Sequence, residues 1–199
     1  MQENKQEKIL RQSFKQLNKF MILLWRLGLG KWVNFWPEGL GQILVITHTG
    51  RKSGLRRQTP VNYACIDGTV YCTAGFGAGS DWYRNILANP SVQVWLPEGW
   101  WKGTARDISD SPERLPILRE VLIKSGFAAS TFGGVKPRLI SDLELLQLTE
   151  SYRLVQIKKE EKLSGPGGPG DLIWVWPAAA LLFLTGLLIS QFRPKKQTK

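Results

Sequence analysis

The chain has 199 residues and carries 27 Lys and Arg against 16 Asp and Glu, a formal net charge of +11. That is enough for one domain with a real core plus additional segments, and the basic excess favours an anionic partner: a polyanionic ligand, an anionic lipid surface or nucleic acid. One histidine, His48, and two cysteines, Cys65 and Cys72, leave too few groups for a histidine-rich metal centre or a Ser-His-Asp triad, so no metal ligand and no protein-borne catalytic residue is assigned.

Residues 1–30 read as an amphipathic helix. Leu10, Phe14, Leu17, Met21 and Leu24 recur at three- and four-residue spacing, Lys5, Lys8, Arg11, Lys15 and Lys19 decorate the rest, and Gly28 suits the stop. Such a helix either packs on the domain or lies on an anionic membrane surface, and both readings stay open. Its apolar stretch 20–25 is too short to span a bilayer and lacks a small-residue cleavage site, so no signal peptide is read.

Strand-like runs follow at 42–49, 58–66, 69–75, 92–96 and 100–108, with hairpin turns at Asp67-Gly68 and Pro97-Glu98-Gly99. A two-residue turn at Asp67-Gly68 sets Cys65 opposite Val70 and only diagonal to Cys72, so the cysteines read as two core thiols in a reducing compartment. His48, at an apolar strand end, reads as structural. Trp95, Trp100 and Trp101 straddle a hairpin and read as barrel surface or core. Ser80 or Asp81 caps a short helix at 82–88, which stops before Asn89-Pro90. A helix at about 113–124 follows Ser111-Pro112, Ser141 and Glu144 form a capping box for another, and 152–157 reads as a closing strand.

Residues 161–171 are a Gly- and Pro-rich linker. Residues 172–192 hold no charge over about 21 positions, what a membrane-spanning helix needs. Trp174 and Trp176 stand at one end and the basic tail 193–199 at the other, as interfacial anchors do. The expectation is a single-pass protein of the cell membrane with its domain on the cytoplasmic side. The weak charge asymmetry around the span leans the other way, towards a cytoplasmic C-terminus.

Two segments carry the chemistry. The first is THTGRKSGLRRQTP at 47–60, a turn with two glycines and four cations, and no acidic residue lies between Glu38 and Asp67. Glycine backbone N–H groups approach a phosphate closely, and Arg grips one with two parallel hydrogen bonds. The second is CTAGFGAGS at 72–80, running into DWYRNILANPSV at 81–92. In this order, roughly 20 residues apart, the two resemble the deazaflavin-dependent nitroreductase family of split β-barrel oxidoreductases. Members of that family carry a TGRKSG-x-x-R-x-x-P segment, a small-residue strand end and a D-W-Y-x-N-L-x-A-N-P helix.

The resemblance implies a mainly β (α+β) fold, a six-stranded antiparallel split β-barrel with flanking helices over 31–160, followed here by the C-terminal transmembrane helix. It implies binding of the reduced deazaflavin coenzyme F-420 and hydride transfer to a lipophilic acceptor such as a quinone, nitro compound or conjugated carbonyl. By the family pattern, Arg51, Lys52, Ser53, Gly54 and Arg57 meet the coenzyme's phosphate and acidic tail. Gln58, Thr59, Pro60 and Val61 run along it, Ala74, Gly75 and Phe76 lie beside its ring, and Trp82, Tyr83 and Asn85 face it from the short helix.

The chain departs from the pattern at Phe76, where Lys is frequent, and at Arg56, where Pro is common. It also lacks the tyrosine cluster ahead of the last strand, where FAASTFGGVKP stands at 127–137. Phe127, Phe132 and Tyr152 are the expected acceptor pocket. The open alternatives are a split barrel using FMN, which altered selectivity at Phe76 would signal, and a non-catalytic binder of coenzyme or lipid at the membrane. Membrane lipid is an expected partner, nucleic acid is not, and split barrels of this kind often form homodimers.

Overall fold

Alternation along the strands decides the architecture. In the computed structural model, β1 (Ile43–Thr49), β2 (Arg56–Ile66), β3 (Thr69–Ala74), β4 (Ser91–Leu96), β5 (Gly99–Asp107) and β6 (Arg153–Leu163) form one closed antiparallel barrel in the order β1-β2-β3-β6-β5-β4. The structure describes residues 5–35, 41–131, 134 and 136–191, and only the backbone of 5–14, 131, 190 and 191. Every second residue points inward, so Leu44 and Ile46, Val61 and Tyr63, Val70 and Cys72, Val92 and Val94, and Val155 and Ile157 fill the interior. Burial pushes the Cys72 thiol up, so it stays protonated as a core group. Both cysteines are free, with Cys65 opposite Val70 and Cys72 opposite Tyr63, as the turn at Asp67-Gly68 dictates; only Cys72 is the core thiol expected, since Cys65 lies on the outward face and is exposed.

The outward residues need cover, and two groups of helices supply it. Ala64, Tyr71 and Leu154 pack under α4 (Arg114–Lys124) and α6 (Asp142–Leu148). The capping box of α6 is formed, Ser141 accepting from the Glu144 backbone N–H. On another flank Val45, Trp95 and Trp100 pack around Trp25 of α1 (Lys5–Arg26), with Met21 and Ile22 beside them. Trp101 carries the Lys159 and Lys162 ammonium groups over its ring at 5.3 and 5.7 Å. α3 (Asp81–Ala88) plugs one end of the barrel, driving Tyr83 and Ile86 into the interior.

α1 does two jobs at once. Trp25 is buried against the barrel, while Leu17, Phe20 and Leu23 face outward. The side chains of Leu10 and Phe14 lie outside the described residues. Short helices α2 (Gly30–Val33) and α5 (Phe127–Thr131) carry no clear sequence period. β6 runs to Leu163, six residues past the expected end and beyond the expected domain boundary at 160. The charged stretch 158–163 hides a strand because its ladder is supplied by β5, from Trp100 to Thr104.

The expected transmembrane helix is not supported by the described residues. The last helix, α7, spans Val175–Gln191, 17 residues, a rise of about 26 Å against a bilayer core of roughly 30 Å. Among the described residues no helix is long and apolar enough to cross a membrane. The start of the expected span is instead tied to the end of α1. The Leu172 N–H donates to the Arg26 carbonyl at 2.9 Å, and the Trp176 indole N–H donates to the Leu27 carbonyl at 3.0 Å. Just upstream, the Arg26 guanidinium grips the Asp171 carboxylate through hydrogen bonds of 2.9 to 3.2 Å. Phe192 and the basic tail 193–199 lie outside the described residues.

Candidate functional site

β2 changes partner along its length. This strand pairs with β1 over residues 56–62 but with β3 only over 63–66. From Arg56 to Asn62 its second edge carries no ladder. β3 ends at Ala74, and the chain swings through Gly75 and Phe76 into a tight turn, Gly77–Gly79. Gly77 is required there: its φ is +59°, and a Cβ would fall 2.3 Å from the Ser151 carbonyl oxygen. The departure of β3 leaves a free strand edge beside α3.

A cavity of about 610 Å³ opens at this end, between α3 and the β1–β2 turn. The turn is closed by its own backbone. Gly50 N–H donates to the Leu55 carbonyl at 2.9 Å, and Gly54 N–H donates to the Gly50 carbonyl at 2.8 Å. Gly54 holds φ +66°, and a Cβ on Gly50 would lie 2.8 Å from the Ser53 hydroxyl oxygen and 3.1 Å from Arg57 Nε. Side chains at either position would disturb the groups that face the cavity.

Four cations and one carboxylate line it: Arg51, Lys52, Arg56 and Arg57 against Asp81. Arg51 is the organised one. Its backbone N–H and its Nη1 both donate to Asn85 Oδ1, at 3.1 and 2.9 Å, and its Nη2 meets Asp81 Oδ1 at 3.0 Å. Arg56 donates to Gln93 Oε1 at 2.8 Å. Among the described residues neither Lys52 nor Arg57 is ion-paired. Behind them sits His48, 3% exposed, with Asn85 Nδ2 at 3.2 Å from its Nδ1 and Thr59 Oγ1 at 3.1 Å from its Nε2. Burial, then the charge of Arg57, lowers the His48 pKa to about 4.

Of the residues expected at the coenzyme, Arg51, Lys52, Ser53, Arg57, Gln58, Thr59, Trp82 and Asn85 line this cavity. Gly54 shapes its turn. Pro60 and Val61 line a second cavity, an apolar groove of about 360 Å³ under α1, together with Phe20, Met21, Leu24 and Phe127. Ala74 is buried inside the barrel, Gly75 backs onto the Tyr152 ring, and Phe76 is exposed. Tyr83 points away from the cavity into the barrel core, its hydroxyl donating to Asp107 Oδ2 at 2.7 Å. Burial, then that hydrogen bond, raises the Tyr83 pKa to about 12.

The three expected acceptor residues do not share one pocket. Phe127 is in the groove, Tyr152 packs with the α4 and α6 core, and Phe132 lies outside the described residues. Sequence reading left His48 and Asp81 out of the site. The signal for His48 was parity: it lies two residues after Ile46 on β1 and so points inward.

A family model for "F420H(2)-dependent quinone reductase" matches residues 27–127, half of the chain. The chain belongs to that family. Membership makes it an F-420-dependent oxidoreductase, which sets aside the FMN-dependent and non-catalytic alternatives. Among solved structures it is similar to an F420-H2 dependent reductase, at 22% identity and TM-score 0.43 over 58% of this chain and 93% of that one. It is also similar to a conserved hypothetical protein from Mycobacterium tuberculosis, at 19% identity and TM-score 0.45 over 67% and 79%. A third, described as a domain-swapped dimer, has 25% identity and TM-score 0.43 over 59% and 79%.

Proposed function

We propose that the cationic cavity beside the free edge of β2 holds the phosphate and acidic end of reduced F-420, and that the coenzyme's hydride goes to a lipophilic acceptor. A quinone, nitro compound or other conjugated carbonyl fits that description. The observation that carries the reading is the cavity itself: four cations against one carboxylate, on a glycine-shaped turn, next to seven residues of strand with one edge unpaired. A polyanion answers the charge, and an extended ligand answers the edge.

When bound, reduced F-420 supplies the hydride, and the protein's part is to bind, orient and shield. Arg51, Lys52, Ser53 and Arg57 hold the anionic end, the first fixed by Asn85 and Asp81. Gln58 to Val61 lead from this cavity to the apolar groove under α1, so one strand edge joins the polar end to the apolar one. The acceptor enters by the groove, whose wall of Leu24, Met21, Phe20 and Phe127 offers it an apolar surface. Purified full-length protein mixed with reduced F-420 and a menaquinone analogue is expected to oxidise the coenzyme, followed by its visible absorbance. No turnover across quinones, nitro compounds and enones, together with no binding of the coenzyme, overturns the reading.

The same reading places the protein at the membrane. α7 is apolar all round and exposed, with Leu182 74% and Phe183 68% accessible. A helix of that kind needs apolar cover. Its foot is joined to α1, whose Leu17, Phe20 and Leu23 also face outward, so both apolar surfaces start from the Arg26–Asp171 ion pair. Flotation with anionic phospholipid vesicles is expected for the full chain and lost on removing residues 172–199. Equal flotation of the two forms would show that α7 is not the attachment.

A further inference from the structure

We propose that His48 is a positioning residue for the anion-gripping side of the site, fixing through Asn85 and Thr59 the direction in which the cavity's hydrogen-bond donors point. This rests on the reading of the cavity as the coenzyme's anionic end.

The chain of contacts has one consistent direction. Asn85 Oδ1 already takes two hydrogen bonds from Arg51, one from its backbone N–H and one from its guanidinium. A flipped amide would set the Asn85 NH₂ against those two donors, so Oδ1 faces Arg51 and Nδ2 faces His48. His48 Nδ1, 3.2 Å away, must then accept and carries no proton. A neutral imidazole with Nδ1 bare has its proton on Nε2, which donates to Thr59 Oγ1 at 3.1 Å. A hydroxyl that accepts from His48 keeps its own hydrogen to give, and Thr59 lines the cavity. One ring thus steadies the Arg51 guanidinium on one side and turns the Thr59 hydroxyl into a donor on the other.

Burial enforces the arrangement. His48 and Asn85 are each 3% exposed, so water does not substitute for a lost partner. The ring also stays neutral well below neutral pH, which keeps Nδ1 an acceptor throughout the working range. An imidazole used only for its volume would have no such polarity: leucine would replace it without changing how Arg51 behaves.

The test is a double-mutant cycle read as affinity for oxidised F-420 by tryptophan fluorescence, on variants whose melting shows them folded. His48→Leu is expected to weaken binding by about 10- to 100-fold. In an Arg51→Ala background the same change should cost less than about 3-fold, because the group it positions is gone, whereas an Arg57→Ala background should show the full loss. His48→Asn, which returns a carbonyl oxygen near the place of Nδ1, should recover most of the affinity. Additive losses with Arg51→Ala, or no recovery in His48→Asn, overturn the inference. Imidazole ¹⁵N spectra give a readout without coenzyme, since the chain has a single histidine. A bare Nδ1 and protonated Nε2 are expected, and a protonated Nδ1 overturns the inference whatever the protein binds. If wild type binds no F-420, the functional reading fails, and the ring tautomer together with the same cycle on inorganic pyrophosphate still decides the role of His48.

Discussion

The two halves of β2 are one strand with two fates. Residues 63–66 pair with β3 and not with β1, and side chains from this half go into cores, Tyr63 into the barrel and Ala64 under α4. Residues 56–62 are paired on one edge, and most of their side chains line the two cavities. Along 56–62 the edge turned away from β1 keeps a row of unmet backbone groups for a ligand or water. A bare edge also invites pairing with another chain, and this one is guarded by Arg56, Arg57 and Pro60, the residue types that discourage it.

Removing charge from the cavity-lining half should have the largest effect. The double change Arg51→Ala with Arg57→Ala is expected to lower F-420 affinity by two orders of magnitude or more, about 3–6 kcal/mol for two charge-assisted contacts. Thermal stability should barely move, since both side chains sit at the cavity. Fluorescence titration and melting curves on the same samples check both parts. An affinity within a few-fold of wild type would mean that this end of β2 does not hold the anion.

The half that feeds the cores should answer in the opposite way. Tyr63 is 5% exposed inside the barrel. Tyr63→Ala is expected to cost about 3–4 kcal/mol of unfolding free energy through the cavity it leaves, while folded molecules keep their coenzyme affinity to within a few-fold. Urea unfolding beside binding at low denaturant makes the measurement. A collapse of affinity without loss of stability would erase the contrast between the halves.

A smaller effect comes from His48, which faces the cavity-lining half from β1. Its imidazole titrates near 4 in the fold, against 6.5 as the ordinary value, because of burial and then Arg57, with Asp81 opposing. Between those values the unfolded chain takes a proton that the folded chain refuses. This group's contribution is therefore complete above pH 6.5 and is lost as pH falls towards 4, by about 2–3 kcal/mol. Chemical unfolding across that window should show the slope in wild type and a flatter one in His48→Asn. Smaller still, Gly54→Ala at φ +66° should cost about 1 kcal/mol of stability. It should loosen the turn and lower F-420 affinity several-fold, read in the same titration.

Much was legible in the chain because it rests on short-range rules. The strands of 42–108 are bounded by glycine and proline turns and alternate with period two, and the Asp67-Gly68 hairpin fixes the cysteine register. The capping box at Ser141 is four residues of local chemistry. The basic turn and the 81–88 helix stand out by composition, which is why most residues singled out from them meet at one cavity. Tyr83 was misplaced because helical phase relative to the barrel is a tertiary matter, and its hydroxyl goes to Asp107. The end of β6 was hidden because charged residues read as loop until β5 supplies a partner.

By itself, then, the sequence determined most of the elements, the charge of the turn and the apolar character of residues 172–192, all properties of neighbours along the chain. Tertiary structure alone decided the rest. It set where β3 leaves β2, which opens the site. It placed His48 behind Asn85 and Thr59, 37 and 11 residues away. It also fastened residues 171–176 to the end of α1, so that the apolar segment begins its helix at Val175. Each of these depends on a hydrogen-bond partner or packing surface from far along the chain, and local propensity carries no record of it.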